Sequence, residues 1–335
     1  MRDVQPTLFP ISQPNERDPK TRSLSYAERL QSDNTRAAYT RAWKRFEAWC
    51  SKERRRPFPA SYRTVLDFLS ALADRGTPLN TIRQYKAAIR RHHHDRGHTD
   101  PGRDPRVRVL WQGIVGTARP AAPPKLAILQ RGIRDLIAGC DQALEAAGPL
   151  APTHLRLADL RDRAIILLTF AGALRRGEVA NLEVEQMVRH PRSYEIQVAP
   201  SELHRRVVTI KAATIAALCP VTALGAWLET AEITEGFVFR RIELDGQIGS
   251  QRLDPSAITH IVRRRCALAG VDYTALSPHS LRRGAIAQDA FDGADDQTIQ
   301  ERAGLSRPGF VLVKRLVTDM RTARRSQAPP PHVAQ

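Results

Sequence analysis

The chain has 335 residues, enough for two domains that each bury a core of their own. Hydrophobic residues make up 42% of the chain, as in globular proteins, and no apolar run reaches the roughly 18–20 residues that a membrane span needs. The formal net charge of +17 argues against an enzyme of small metabolites and favours a polyanionic partner, with nucleic acid as the first choice.

Residues 1–30 are rich in proline and poor in apolar side chains, so they are predicted to form a flexible N-terminal arm. The N-terminus also lacks the apolar core of a signal peptide. We therefore expect a cytoplasmic protein that associates with the nucleoid and not with a membrane. The cysteines have neither zinc-site spacing nor the density of a disulfide scaffold, and are predicted to be reduced core thiols. They are Cys50, Cys140, Cys219 and Cys266.

A helical domain is predicted over residues 31–118. Apolar residues from Tyr39 to Cys50 recur at intervals of 4, 3 and 4, the period of a helix with one buried face. A second helix is expected to follow Ser61, and a third to begin at Asn80.

The third helix of this domain carries Arg83, Lys86 and Arg90 on a face separate from its apolar residues. Residues 32–118 contain 18 Lys and Arg against 8 Asp and Glu, a net +10 out of the total +17. This concentration favours contact with DNA phosphates, although lysine and arginine also cover many solvated helix surfaces. The domain is therefore predicted to bind DNA through this face.

A histidine cluster, His92-His93-His94 with His98, follows on the same helix. Consecutive helical side chains point in different directions, so they cannot all face one ion. We predict no metal site here, and no cofactor for the protein.

Residues 119–127 are predicted to be a linker, because prolines interrupt the apolar periodicity there. The second domain is placed at residues 128–325, followed by a disordered tail over residues 326–335.

Within the second domain, Leu160–Phe170 reads as a buried helix. The β-branched segments Tyr194–Ala199 and Arg205–Ile210 are predicted to pair as a hairpin, and Pro220 is expected to open another helix.

Two short motifs in the second domain are weak patterns by themselves and gain their value from their order and setting. Arg175 precedes Glu178 by three residues, and His279 precedes Arg282 by three, so each pair shares a helix face. Arginine suits phosphate because its planar fork donates two parallel hydrogen bonds and stays charged. The same four residues could instead form an internal polar network that holds two helices together.

The order and setting of these motifs resemble the tyrosine recombinase (phage integrase) family, over roughly residues 32 to 325. Leu160-Arg161-Asp162-Arg163 and Cys219-Pro220-Val221-Thr222-Ala223-Leu224 look like this family too. The resemblance implies a mainly α fold with a small antiparallel β-sheet (α+β), built as a two-domain, C-shaped clamp around a duplex. It also implies that Arg175, His279 and Arg282 contact the phosphate and that Glu178 supports them.

Three features depart from the family pattern. The family's hairpin-turn lysine is absent from Pro200–His204, and the nearest lysine, Lys211, lies beyond the second strand. No histidine or tryptophan occurs near Gly304-Leu305-Ser306, where the family has one. The nucleophilic tyrosine is also missing: Tyr273 is the last tyrosine, and Leu316 lies near the expected position.

These departures predict a catalytically degenerate recombinase fold that binds double-stranded DNA selectively and does not cleave it, hence not an enzyme. Its role would be that of a regulator, a replicon or segregation factor, or an accessory recombination subunit, in the setting of a mobile genetic element. The alternative is an active site-specific recombinase or integrase with a relocated nucleophile, such as Ser306, or a partner-supplied one.

Double-stranded DNA is the expected partner, while a homo-oligomer on DNA and a complete recombinase partner stay open. The predicted DNA-binding residues are Arg83, Lys86, Arg90, Arg175, His204, Arg205, His279, Arg282 and Arg283.

Overall fold

A computed structural model describes residues 33–117, 127–146, 148, 152–198, 205–272, 276, 278–311, 313–325 and 333–334. The chain divides into two compact units, Met1–Pro123 and Pro124–Gln335. The predicted N-terminal arm, residues 1–30, lies outside the described residues. Within the described part of the chain, no helix is both long enough and apolar enough to cross a membrane.

The first unit is helical, and each helix buries an apolar stripe. Its helices are α1 (Asp33–Lys52), α2 (Tyr62–Asp74), α3 (Leu79–His94) and α4 (Pro105–Thr117). Ser61 caps α2, because its side-chain oxygen accepts a hydrogen bond from the Thr64 amide at 3.2 Å. Phe46, Leu69 and Ile82 are buried in the core between these helices. The helices predicted from periodicity and capping in this unit are confirmed.

Two of the clustered histidines take part in packing. His93 is buried, and its Nδ1 donates to the Ile89 carbonyl at 2.8 Å while its Nε2 accepts from the Ala60 amide at 2.9 Å. His92 stacks on Trp43 with 3.4 Å between ring centroids. Burial lowers the pKa of both imidazoles, to about 4 for His92. Both rings are therefore neutral at pH 7.

The second unit packs helices around small antiparallel sheets. Its helices are α5 (Gln130–Ala146), α6 (Thr153–Ala171), α7 (Arg176–Ala180), α8 (Pro220–Thr230), α9 (Pro255–Leu268), α10 (Pro278–Asp292), α11 (Asp296–Ala303), α12 (Arg307–Val311) and α13 (Lys314–Arg325). Its strands are β1 (Ala127–Ile128), β2 (Met187–His190), β3 (Ser193–Val198), β4 (Arg206–Lys211), β5 (Arg240–Ile242), β6 (Ile248–Arg252) and β7 (Val333–Ala334). The predicted fold class, mainly helical with a small antiparallel sheet, is confirmed.

The largest sheet has the order β2-β3-β4 and is antiparallel throughout. The predicted hairpin is confirmed as β3 and β4, in a register that pairs Val198 with Arg206. Strand β2 was not predicted, because its residues are half-exposed and follow no clear alternation. One face of the sheet is buried against the helices and includes Ile196 and Val208.

Helix α10 lies unusually close to β1. A Cβ atom on Gly284 would lie only 1.7 Å from the carbonyl oxygen of Ile128, so glycine is needed at this crossing. The contact fixes the depth of α10, which carries both His279 and Arg282.

A network of arginines and aspartates is buried between α6 and α9. The fully buried Asp162 accepts hydrogen bonds from Arg161 at 2.8 Å, Arg264 at 2.7 Å and Arg265 at 2.9 Å. Arg265 also donates to Asp159 at 2.7 Å. Because each of these charges has a partner of opposite sign, the network holds the two helices together.

The chain's end differs from the sequence expectation of a disordered tail over residues 326–335. Val333–Ala334 forms strand β7, which pairs antiparallel with β1. An edge strand offers unpaired backbone N–H and C=O groups, and β7 satisfies some of those of β1. The expectation of disorder is therefore wrong for these two residues, and residues 326–332 lie outside the described ones.

Candidate functional site

The site begins at the turn between α6 and α7. Ala173 has a positive φ of 46°, and this turn brings Arg175 to the N-cap of α7. The Arg175 amide donates to Glu178 Oε2 at 2.7 Å, and its guanidinium Nη1 donates to Oε1 at 2.7 Å. The Arg-x-x-Glu spacing thus forms a local cap that fixes both side chains.

A second arginine, Arg206 at the start of β4, also contacts the carboxylate of Glu178. Its Nη1 and Nη2 donate to Glu178 Oε1 and Oε2, both at 2.9 Å, as a bidentate fork. Burial alone would raise the pKa of Glu178, but the hydrogen bonds and charge of Arg206, followed by those of Arg175, hold it below its ordinary value. Glu178 is therefore ionised at neutral pH.

The C-terminal end of α11 supplies the other partners of the site arginines. Arg206 Nε donates to the Arg302 carbonyl at 3.3 Å, and Arg175 Nη2 donates to the Gly304 carbonyl at 2.5 Å. Arg282 Nη2 donates to the carbonyl of Ala303. The last carbonyls of a helix lack partners within the helix, so they are available to these guanidiniums.

Arg282 is the most buried of the site arginines, with 5% of its surface exposed. Its other terminal nitrogen donates to the carbonyl of Ala173. Burial, and then the nearby charge of Arg175, lower the pKa of Arg282 to about 9, which still leaves it charged at pH 7. A buried charge hydrogen-bonded to neutral carbonyls favours the arrival of an anion.

The cluster as a whole carries an excess of positive charge. Arg175, Arg206 and Arg282 face the single carboxylate of Glu178, so three positive charges and one negative charge give +2. Among the described residues, Glu178 is the carboxylate that Arg175 and Arg206 contact, while Arg282 donates to backbone carbonyls and has no carboxylate partner. Arg175 remains 38% exposed and gives the cluster an accessible donor.

His279 lies in the first turn of α10, on the side of Arg282, and is solvent-accessible. The surrounding protein removes part of its hydration, and this desolvation, followed by the charges of Arg282, Arg176 and Arg175, lowers the pKa of His279. The imidazole is neutral at pH 7. The neighbouring Arg283 is half-buried, and its Nε has no hydrogen-bond partner within the described part of the chain.

The structure brings together Arg175, Glu178 and Arg282, as the motifs predicted, but Arg205 lies outside the cluster on an exposed position. His204 falls outside the described residues. The sequence predicted His204 and Arg205 in the site, but the residue of this segment that contacts Glu178 is Arg206. Alternation along β4 could have identified it, because Arg206 lies on the same face as the buried Val208 and Ile210.

In the first unit, Arg83 and Arg90 are exposed on α3. Lys86 is half-buried, and its ammonium lies 5.2 Å from the centre of the Trp111 ring. Contact of these three residues with DNA stays a prediction, as it does for Arg205 and Arg283.

Position 316 is occupied by a buried leucine in α13. Leu316 is 4% exposed and packs in a cluster with Ile299, Phe310 and Met320. The adjacent Lys314 and Arg315 are exposed.

Of the other residues weighed for catalysis, Ser306 is exposed and accepts a hydrogen bond from the Gly309 amide at 3.2 Å. Lys211 is exposed at the end of β4. The hairpin turn, residues 199–204, lies outside the described residues.

Comparison with known proteins agrees with this fold. Residues 146–311 match the phage integrase family. The chain is also 31% identical over 279 residues to the integrase/recombinase xerD homolog of Selenomonas ruminantium, covering 82% of this chain and 79% of that protein. The chain therefore belongs to the phage integrase family, the tyrosine recombinases. A shorter match, 31% identity over 148 residues, covers 44% of this chain and 43% of the tyrosine recombinase XerC of Corynebacterium efficiens.

Solved structures show the same fold at low identity. The XerH site-specific recombinase bound to a palindromic difH substrate has a TM-score of 0.55 and 17% identity, covering 80% of this chain and 71% of that one. The Tn1549 transposon integrase in complex with transposon right end DNA has a TM-score of 0.54 and 11% identity, covering 91% and 97%. A lambda integrase dimer bound to a core site has a TM-score of 0.53 and 11% identity, covering 93% and 78%.

These relatives correct one expectation from the sequence. The two sequence relatives are named as recombinases, which are enzymes. The prediction that this chain is not an enzyme is therefore wrong. The three departures from the family pattern do not establish a loss of activity, because they are absences in the sequence and the named relatives are enzymes.

Proposed function

We propose that this chain is a site-specific DNA recombinase that binds a phosphate of double-stranded DNA through Arg175, Arg282 and His279. The observation that carries this proposal is the +2 charge of the cluster around Glu178. A phosphodiester brings one negative charge and oxygens that match the guanidinium fork. It would supply the counter-charge that Arg282 lacks.

The chemistry that fits this cluster is transesterification at phosphorus. A hydroxyl oxygen attacks the phosphorus and gives up its proton, the bond from phosphorus to the 5′ oxygen breaks, and the departing oxygen takes up one proton, so that no proton is gained or lost overall. Guanidiniums held in advance stabilise the negative charge that grows on the phosphoryl oxygens. Neutral His279 keeps one ring N–H group, which can donate a hydrogen bond to one of these oxygens.

The nucleophile is proposed to come from a position other than 316. A leucine has no hydroxyl group, and Leu316 is buried among other apolar side chains. The hydroxyl then belongs to another residue of this chain, of which Ser306 is one exposed example, or to a partner recombinase. The second possibility draws on the lambda integrase neighbour, which is a dimer on its core site.

The first unit is proposed to add DNA affinity through α3. Arg83 and Arg90 are two helical turns apart and both exposed, so they can reach phosphates of one strand. We further propose that the protein acts in the cytoplasm where the DNA lies, and that it assembles as an oligomer there.

The proposal is tested by trapping a covalent intermediate. A binding site is first recovered by selection from genomic fragments, then prepared as a nicked suicide duplex and incubated with the protein. We expect a protein–DNA adduct on a denaturing gel, either with this chain alone or after addition of a complete recombinase from the same genome. Mass spectrometry of the adduct identifies the attacking residue.

Two variants serve as controls in this experiment. Arg282→Ala should lose the adduct, whereas Arg241→Ala removes the same charge from a side chain that is 74% exposed on β5 and should keep it. The absence of an adduct in both arrangements, with selective binding intact, would contradict the recombinase proposal.

A further inference from the structure

We infer that Arg206 and Gly304 are positioning residues that set the geometry of Arg175 and Arg282 for phosphate, through the turn that ends α11. This inference rests on the proposed function of the same cluster. Neither residue has to touch DNA in order to act this way.

The first argument is that the site arginines all donate hydrogen bonds to the C-terminal end of one helix, α11. The carbonyls of Arg302, Ala303 and Gly304 are consecutive, and each accepts from a different guanidinium: those of Arg206, Arg282 and Arg175, respectively. The C-terminus of a helix carries partial negative charge and favours cations. A single turn of backbone therefore sets the spacing between all three.

The second argument concerns the Glu178 carboxylate. A carboxylate has about four acceptor positions, and here the Arg175 amide, Arg175 Nη1 and the two terminal nitrogens of Arg206 take one each. Only 5% of the Glu178 side chain is exposed, so water contributes little. Without Arg206, the carboxylate would pair with Arg175 alone and neutralise the most accessible cation of the site.

The third argument is the shape of the turn at Gly304. Its φ is +56°, in the left-handed region, and a Cβ atom there would lie 2.7 Å from Arg206 Nη1. Any side chain at this position would strain the backbone and also displace the Arg206 guanidinium. Gly304 thus keeps both the helix end and Arg206 in place.

Arg206 is tested by a double-mutant cycle with Arg175. The probe is a labelled duplex recovered by selection, and the readouts are affinity and its dependence on salt. Arg206→Lys and Arg206→Gln should each weaken binding about tenfold or more, because neither restores the bidentate contact with Glu178. Combined with Arg175→Ala, each should add little further loss.

Two outcomes of this cycle would overturn the inference. Full affinity in Arg206→Lys would mean that only the charge matters. Losses that simply add in the double variants would mean that Arg206 contacts DNA on its own account.

Gly304 is tested against a matched glycine, which also keeps the inference testable if the Arg206 variants fold poorly. Gly270 has a φ of +66° at the end of α9, but a Cβ there would meet no other heavy atom within 4 Å. Both Gly304→Ala and Gly270→Ala should lower the melting temperature through backbone strain. Only Gly304→Ala should also weaken DNA binding; equal affinities for the two variants would contradict the role of the turn.

The variants also separate a failure of this inference from a failure of the proposed function. If Arg175→Ala and Arg282→Ala leave affinity and salt dependence unchanged in folded protein, the phosphate site itself is wrong. If those two weaken binding while the Arg206 and Gly304 variants do not, only the positioning role is wrong.

Discussion

Two arginine clusters in the second unit differ in how their charges are balanced. Around Asp162, the arginines of α6 and α9 meet the carboxylates of Asp159 and Asp162 in the interior. Around Glu178, Arg175 and Arg206 share one carboxylate, and Arg282 donates to backbone carbonyls. In the first cluster every buried arginine has an acidic partner, whereas in the second the buried Arg282 has none among the residues that the structure describes.

This difference separates structural arginines from arginines that can bind an anion. Asp162 is fully buried and receives three guanidiniums: those of Arg161 and Arg265 are buried with it, while Arg264 is 52% exposed and is paired with the carboxylate. At the Glu178 cluster, Arg175 is still 38% exposed and the positive charge is in excess. Residue type alone does not distinguish the two clusters; the number of carboxylates around the arginines does.

Breaking the cluster around Asp162 should have the largest effect on folding. Asp162→Asn would leave the buried charge of Arg161 without a carboxylate and Arg265 with Asp159 alone, and we expect the free energy of unfolding to fall by about 3–5 kcal/mol. Urea unfolding followed by circular dichroism measures this change. Asp319→Asn, at a side chain 60% exposed on α13, is the control and should change little. A comparably small effect of Asp162→Asn would show that the two clusters do not differ as proposed.

Breaking the cluster around Glu178 should affect DNA binding more than folding. Arg175→Ala is expected to weaken binding by roughly 1.5–3 kcal/mol, because it removes charge-assisted hydrogen bonds to phosphate. The slope of log affinity against log salt should become shallower by about 1. Fluorescence anisotropy over a salt series measures both quantities. Unchanged affinity and slope in a folded variant would remove Arg175 from the phosphate site.

The first unit extends the comparison to exposed arginines. Arg83→Ala combined with Arg90→Ala should reduce the salt slope by about 2 if each contacts a phosphate, with a smaller loss of affinity than at the partly buried site. Arg75→Ala, at an exposed residue just after α2, is the control in the same unit. An unchanged slope in the double variant would mean that this face of α3 is only solvated.

The smallest expected effect is a pH dependence that only the Glu178 cluster should show. The pKa of His279 in the free protein is lowered by desolvation and by the nearby arginines, and a bound phosphate should raise it. Binding then takes up a proton, so affinity should increase modestly as the pH falls from about 7 to about 5.5. A titration of affinity against pH should show this rise, and His279→Gln should flatten it.

The same shift has the opposite sign for folding without DNA. A histidine whose folded-state pKa is lowered binds fewer protons than it does in the unfolded chain. Its contribution to stability is therefore lost as the pH falls below the ordinary value of about 6.5. A rise in free-protein stability over that range, sensitive to His279→Gln, would show that the pKa shift has been assigned the wrong sign.

Periodicity in the sequence predicted the helices because each buries one face. The residues from Tyr39 to Cys50, whose spacing predicted a helix, lie in α1, and Ser61 caps α2. The motif spacing also predicted the pairing of Arg175 with Glu178, since both lie within one turn of α7. Contacts that are local in sequence could be predicted in this way.

The remaining features depend on register and on distant backbone. Arg206 was missed in favour of Arg205, because a shift of one residue along a strand turns a side chain to the opposite face. The carbonyls that hold Arg175 and Arg282 lie 129 and 109 residues away in the sequence, at Gly304 and Ala173. Backbone acceptors carry no residue signature, so the end of α11 could not be identified as part of the site.

Gly284 has a consequence for genetics. Glycine has no Cβ atom where α10 crosses the Ile128 carbonyl, and the Cβ of any replacement would collide there, so a missense change should reduce the amount of folded protein. In a random-mutagenesis screen for lost recombination, this codon should therefore appear beside those of the arginines, although it contributes no contact to the cluster. Measuring cellular abundance for each allele would distinguish the two kinds of hit.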